Sequence, residues 1–164
     1  PMVDTAEEAA AAVAACRYPP RGVRGMGASV ARASRWGAIG DYAAAADAEI
    51  CVIVQAESRR AIENVAAIAA VEGVDGVFIG PADLSADMGH PGEPGRPEVR
   101  SAIEAGLAAI RVAGKAPGII AFDPQQVAEF AQLGARFLGV GADAPALATA
   151  LRRLAGEARD GLAP

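Results

Sequence analysis

With 164 residues, 52% of them apolar and only 4% aromatic, the chain suits one domain with a core of Val, Ile, Leu and Ala, and is too short for two comfortable ones. A formal net charge of −5, without a stripe of Lys and Arg interleaved with aromatics, disfavours nucleic-acid binding, which needs a concentrated basic face. No apolar run approaches the roughly 18–20 residues of a membrane span and no signal peptide opens the chain, so no membrane association and a cytoplasmic protein are expected.

Pro1-Met2-Val3 is an apolar stub, read as the last residues of a strand whose beginning is absent. Residues 4–16 form the first expected helix: Asp4 or Thr5 can cap it, Glu7 and Glu8 suit its first turn, and alanine fills the rest. Residues 17–42 hold a proline pair and repeated glycines, so they read as a long loop with short helical turns near 28–35 and 40–47. Residues 49–58 are a strand whose β-branched run predicts burial on both faces, with Cys51 a reduced, buried thiol. Residues 58–71 are a helix with Ala61, Ile62, Val65, Ile68 and Ala69 on one face. A second strand at 74–80 leads into a Pro- and Gly-rich loop, 81–97. Then follow a helix at 97–114, a strand at 116–122, a helix at 123–134, a strand at 135–143 and a closing helix at 144–159.

Strict alternation of apolar strands with helices means parallel strands covered by helices. The pattern suits an open doubly wound sheet or a (β/α)8 barrel, and the absence of GxGxxG after a first strand leaves a dinucleotide fold without positive support. Four strands and a stub amount to about half of a barrel, which usually takes about 200–250 residues to close. Residues 1–164 are therefore expected to be one α/β unit that cannot close a barrel by itself.

In parallel α/β folds chemistry collects at the C-terminal ends of the strands. Gln55 and Glu57 stand after the first full strand, Asp83 after the second, and Asp123 and Asp143 after the third and fourth. Glu57 reads either as the N-terminal acid of the next helix or as a hard oxygen ligand. Asp83 reads either as the N-cap of a short helical turn, DLSAD, or as a second ligand. Placed on adjacent parallel strands, the two carboxylates would repel unless a cation lay between them, and hard oxygens suit Mg²⁺ or Mn²⁺. Gly80 and Pro81 would let the N–H groups of Ala82 and Asp83 point outward as a seat for a small carboxylate. A lone histidine excludes a cage built of several His ligands, and His90 is read as exposed in its loop. Asp123 and Asp143, each followed closely by proline, read as helix caps. Trp36 and Arg21, Arg24, Arg32 and Arg35 belong to the long loop, read as a lid or oligomer contact on one side and as solvated charge on the other.

The segments YPPRGVRGMGASVARASRWG, VQAES and GVDGVFIGPADLSADMG closely resemble the HpcH/HpaI aldolases, class II pyruvate aldolases of the 4-hydroxy-2-oxoheptanedioate aldolase type. The likeness runs from Pro1 to about Leu154. It implies that residues 1–164 are the C-terminal part of a single (β/α)8 TIM barrel domain, about half of it, in what is usually a cytoplasmic homohexamer that exchanges its last helix between subunits. It also implies a metal-dependent lyase of aromatic-compound catabolism, working on pyruvate and an aldehyde with Mg²⁺ or Mn²⁺, or else Co²⁺ or Zn²⁺. By the same resemblance the metal ligands fall on Glu57 and Asp83, a glutamine that holds pyruvate on Gln55, and the pyruvate-carboxylate seat on Gly80, Pro81, Ala82 and Asp83. The family's histidine base, its supporting acid and its enolate-stabilising arginine all precede the Pro1-Met2-Val3 strand, so no catalytic proton-transfer group is assigned within the chain, and His90 is not promoted to that role. Two other readings remain: a citryl- or malyl-thioester lyase of the same superfamily, and a non-catalytic α/β fragment.

Overall fold

A computed structural model describes residues 1–161. In chain order it contains α1 (Ala6–Cys16), a 3-10 turn (Arg32–Ser34), α2 (Tyr42–Glu49), β1 (Ile53–Ala56), α3 (Arg59–Ala70), β2 (Gly76–Ile79), α4 (Pro81–Asp87), α5 (Pro97–Val112), β3 (Ala116–Ile120), α6 (Pro124–Gln132), β4 (Phe137–Gly139) and α7 (Asp143–Asp160). The expected α/β alternation is therefore present. The helix starts show why. Thr5 and Glu8 form a reciprocal capping box at α1, whose first-turn Glu7 is held below the usual carboxylate range by backbone N–H donation and then by the Thr5 hydroxyl. Ser58 caps α3, Pro97 opens α5 at a position that needs no N–H, and Asp123 caps α6 as expected. Asp143 differs: it is the first residue of α7, and the cap position is Ala142, which offers no side-chain acceptor.

The four strands run parallel in the order β1-β2-β3-β4, each paired with its sequence neighbour. Pro1-Met2-Val3 is not a strand here, yet the Val3 N–H donates to the Gln55 carbonyl at 2.9 Å, which lays the stub beside β1. Helices α3 and α5 cover one face of the sheet. There Val54, Ala56, Val77, Ile79 and Ile119 pack against Ala61, Val65, Ile68, Ile103, Leu107 and Ile110 in one cluster.

Burial on both faces is overturned. Along residues 51–56 the burial alternates, with Val52, Val54 and Ala56 buried and Cys51 and Ile53 exposed. Helices α3 and α5 lie on one side, and on the other Ile53, Phe78 and Phe137 stay exposed or only half-buried. Phe78 and Phe137 share that open face, ring centroids 5.7 Å apart and edge-on, at the level of Gly118. A Cβ on Gly118 would come within 2.8 Å of the Phe78 ring, so the close approach of the two phenylalanines depends on that glycine. Cys51 is consequently an exposed thiol rather than a buried one.

The long loop is fastened rather than free. Tyr18 is buried, and its N–H donates to Asp47 of α2 at 3.1 Å. The Arg24 guanidinium sits 4.5 Å from the Tyr18 ring centroid and donates to the Tyr42 hydroxyl at 3.0 Å, while Arg21 pairs with Asp47 at 3.2 Å. Trp36 remains 70% exposed. No helix among the described residues is long and apolar enough to cross a membrane.

Candidate functional site at the carboxyl ends of the strands

The β1–β2 register pairs Gln55 with Phe78 and Ala56 with Ile79, so the next step up brings Glu57 level with Gly80. The Gly80 N–H extends the ladder to the Ala56 carbonyl at 3.4 Å. Glu57 is 4% exposed and makes no ion pair among the described residues. Its Oε2 accepts the Met2 N–H at 2.9 Å, and its Oε1 accepts the Gln55 Nε2 at 2.9 Å. It does not serve as the N-terminal acid of α3, because Ser58 fills that role by accepting from the Ala61 N–H.

Gly80 makes room for this carboxylate. A Cβ there would lie 2.2 Å from the Glu57 Oε1 and 2.9 Å from its Cδ. The glutamate thus occupies the space that any other residue at 80 would fill.

Beyond Gly80 the structure departs from the expected loop. Pro81–Asp87 is helix α4, with Gly80 at the cap position and Pro81 at the first helical residue. Proline there lacks only an N–H that the helix leaves unpaired, so a Gly-Pro step that reads as a turn is here a helix start. Asp83 is not the cap of this helix; it lies within its first turn, exposed, and among the described residues it has no cationic partner. The N–H groups of Ala82 and Asp83 find no carbonyl acceptor, because the first intrahelical bond runs from the Leu84 N–H to the Gly80 carbonyl. The Ala82 carbonyl accepts the hydroxyl of buried Ser85 at 2.7 Å.

All six positions expected at the site, Gln55, Glu57, Gly80, Pro81, Ala82 and Asp83, therefore fall at adjoining strand ends. One orientation differs from expectation: the Gln55 amide is turned to Glu57. Met2 was not anticipated. Its backbone, at φ 56, aims its N–H at Glu57, and no side-chain chemistry announces a backbone donor. His90 is not simply exposed: it is half-buried, 3.4 Å from Glu98, with its N–H bonded to the Ser85 carbonyl at 2.7 Å. It takes no part in the strand-end cluster.

Whether this donor set fits a divalent cation turns on Glu57. A carboxylate this buried and without a cationic side chain retains oxygen lone pairs beyond its two N–H donors, and a second hard carboxylate stands one helical turn past Gly80. That chemistry fits a hard cation held by Glu57 and Asp83. No group of three or more His, Cys, Asp or Glu side chains converges among the described residues, so two acids are what this chain offers.

A family model described as HpcH/HpaI aldolase/citrate lyase matches residues 1–150. The chain is 51% identical over 160 residues to a hydroxypyruvate/pyruvate aldolase of Cupriavidus necator, covering 98% of this chain and 60% of the relative. It is 55% identical over 155 residues to a 4-hydroxy-2-oxo-heptane-1,7-dioate aldolase of Shigella sonnei, covering 94% and 59%. Among solved structures it superposes on a HpcH/HpaI aldolase/citrate lyase family protein from Burkholderia cenocepacia with TM-score 0.88 at 40% identity, covering 97% of this chain and 63% of that one. A HpcH/HpaI aldolase from Desulfitobacterium hafniense gives 0.84 at 30% identity, covering 99% and 64%. The chain thus spans about 60% of the length of the curated relatives it matches.

Proposed function

The chain belongs to the HpcH/HpaI aldolase/citrate lyase family, and from that premise we propose that it is the metal- and pyruvate-holding part of a class II pyruvate aldolase. The whole enzyme would be a cytoplasmic (β/α)8 barrel, a homo-oligomer, that makes or cleaves 4-hydroxy-2-oxo acids from pyruvate and an aldehyde. The observation that carries the reading is Glu57: a buried carboxylate with no cationic partner, level with Gly80 and beside a first helical turn that bears Asp83.

In this reading Glu57 and Asp83 hold Mg²⁺ or Mn²⁺, which when bound supplies Lewis-acid stabilisation of negative charge on the enol oxygen of pyruvate. Gln55 and the Met2 N–H fix the rotamer of Glu57, each donating to one of its oxygens at 2.9 Å. The Ala82 and Asp83 N–H groups, with no internal acceptor, bind the pyruvate carboxylate and orient its methyl group. Removal of the methyl proton falls to a group outside residues 1–164. A thioester lyase shares the metal and the fold, and the family description names citrate lyase beside aldolase. Assay of pyruvate plus an aldehyde against citryl and malyl thioesters separates the two.

The direct test is Glu57→Gln, which keeps the shape and removes the charge; its one amide oxygen can still accept the Met2 N–H, and its NH2 can donate to Gln55 once the Gln55 amide flips. Mn²⁺ binding by calorimetry is expected to weaken by about 100-fold or more, with far-UV circular dichroism unchanged. Unaltered Mn²⁺ affinity in a folded Glu57→Gln chain sinks the assignment.

A further inference from the structure

Asp4 is one of two residues able to cap α1, and Thr5 takes that role, so the Asp4 carboxylate is left for other work. It stands half-buried at the end of the stub, and its side chain, carbonyl and N–H are all engaged. Its Oδ1 accepts the Ser58 hydroxyl at 2.5 Å, its carbonyl accepts the Asn64 Nδ2 at 2.8 Å, and its N–H donates to the Glu8 Oε2 at 2.7 Å. The first of these is a charge-assisted bond, and it ties the stub to the residue next to Glu57. Ser58 is itself fixed: it is 6% exposed and accepts the Ala61 N–H as the cap of α3.

Two residues before Asp4, the Met2 N–H donates to the Glu57 Oε2 at 2.9 Å. Met2 holds φ 56, a left-handed conformation that a non-glycine residue keeps only where its surroundings impose it. The Met2 side chain is 58% exposed, so its own packing does not impose it. The constraint comes from the next two residues. Val3 anchors the stub to β1 through a buried side chain and its one N–H bond to the Gln55 carbonyl, and the Asp4–Ser58 bond fixes the stub's direction.

We propose that Asp4 is a positioning residue for the cation site. By way of Ser58 it holds the stub so that the Met2 N–H keeps the Glu57 carboxylate in the orientation that leaves its remaining lone pairs open to the cation. The proposal rests on the reading of Glu57 as a metal ligand; the placing of the Met2 N–H by Asp4 is independent of it.

Asp4→Ala removes the bond to Ser58 and leaves the backbone partners Glu8 and Asn64 in place, whereas Asp4→Asn keeps an oxygen for the Ser58 hydroxyl. In the full chain, Mn²⁺ affinity by calorimetry is expected to fall about tenfold in Asp4→Ala, the lower end of the loss when a partner that orients a ligand is removed, and to return to within about twofold of wild type in Asp4→Asn. In the metal-free chain the Met2 amide proton, drawn downfield by its carboxylate acceptor, is expected to move upfield in Asp4→Ala alone. Asp123→Ala, which removes the cap of α6, is expected to move neither readout. Wild-type Mn²⁺ affinity in Asp4→Ala overturns the proposal. An equal loss in Asp4→Asn overturns it too, by making charge the cause, and an equal loss in Asp123→Ala does so by making general loosening the cause. Glu57→Gln keeps the two readings apart. Unaltered Mn²⁺ affinity there sinks the metal reading, with the Met2 amide shift still deciding whether Asp4 sets the Met2–Glu57 bond. A Glu57-dependent site that Asp4→Ala leaves intact sinks the positioning role alone.

Discussion

The two faces of the sheet obey different rules, although alternate residues of the same strands build them. On the helix-covered face Val54, Val77, Ile79 and Ile119 are at most 3% exposed and interlock with α3 and α5. On the other face Ile53 is 37% exposed and Phe137 49%. The covered face is a finished core that this chain completes unaided. The open face carries the Gln55 side chain and leads upward to the strand-end site. Stability therefore lives on one side of each strand and the proposed chemistry on the other or at its end. Adjacent residues, one position apart, should respond to mutation very differently.

The largest effect is expected on the covered side. Ile79 is fully buried, and its Cδ1 lies where a Cβ on Gly106 of α5 would be 2.8 Å away, so strand and helix meet there without spare room. Ile79→Ala should cost about 2–5 kcal/mol, because α5 is held off by its own backbone and cannot close the cavity. Denaturant unfolding followed by circular dichroism measures this, and a loss under about 1 kcal/mol would mean that this face is not the core.

One residue further on, the effect should change in kind. Gly80→Ala places a methyl group where the Glu57 carboxylate now lies, 2.2 Å from Oε1. The side chain that gives way is Glu57, so Mn²⁺ affinity should fall about 10- to 100-fold, as when a partner that orients a metal ligand is removed. The helix signal should persist. Wild-type Mn²⁺ binding in Gly80→Ala would show that the glutamate's position is irrelevant to the cation.

How far the sequence revealed this contrast depends on how local each determinant is. Strand and helix order was legible because caps such as Thr5, Ser58 and Asp123 and the β-branched runs act over a few residues. Helix α4 was legible only as a short helical turn at DLSAD and not in its start, because Gly80-Pro81 is the same dipeptide whether it opens a turn or a helix. The open face was misread as buried because an apolar run reports the character of its own side chains and nothing about what lies opposite. At the site, Glu57 and Asp83 were found from their place after successive strands. The Met2 N–H was hidden, since it is a backbone group 55 positions from Glu57 that any residue could supply. The turn of the Gln55 amide toward Glu57 was hidden too, being a choice of rotamer.

The smallest effect tests the contrast most severely, because it predicts nearly nothing. Ile53 neighbours Val54, has the same β-branched character, and pairs across to Gly76, yet it faces the open side. If the two faces differ as described, Ile53→Thr in this chain should change unfolding free energy by less than about 0.5 kcal/mol, the usual range for an exposed position. Threonine keeps the β-branch, so strand propensity is preserved and only apolar contact is altered. Val54→Thr, by contrast, would bury an unpaired hydroxyl at a position 3% exposed and should cost about 1–3 kcal/mol. The difference between two changes to threonine at neighbouring positions, one exposed and one buried, isolates the covering helices as the cause. Equal losses at both positions would mean that something also packs against the open face in solution, and the division of labour between the faces would fail.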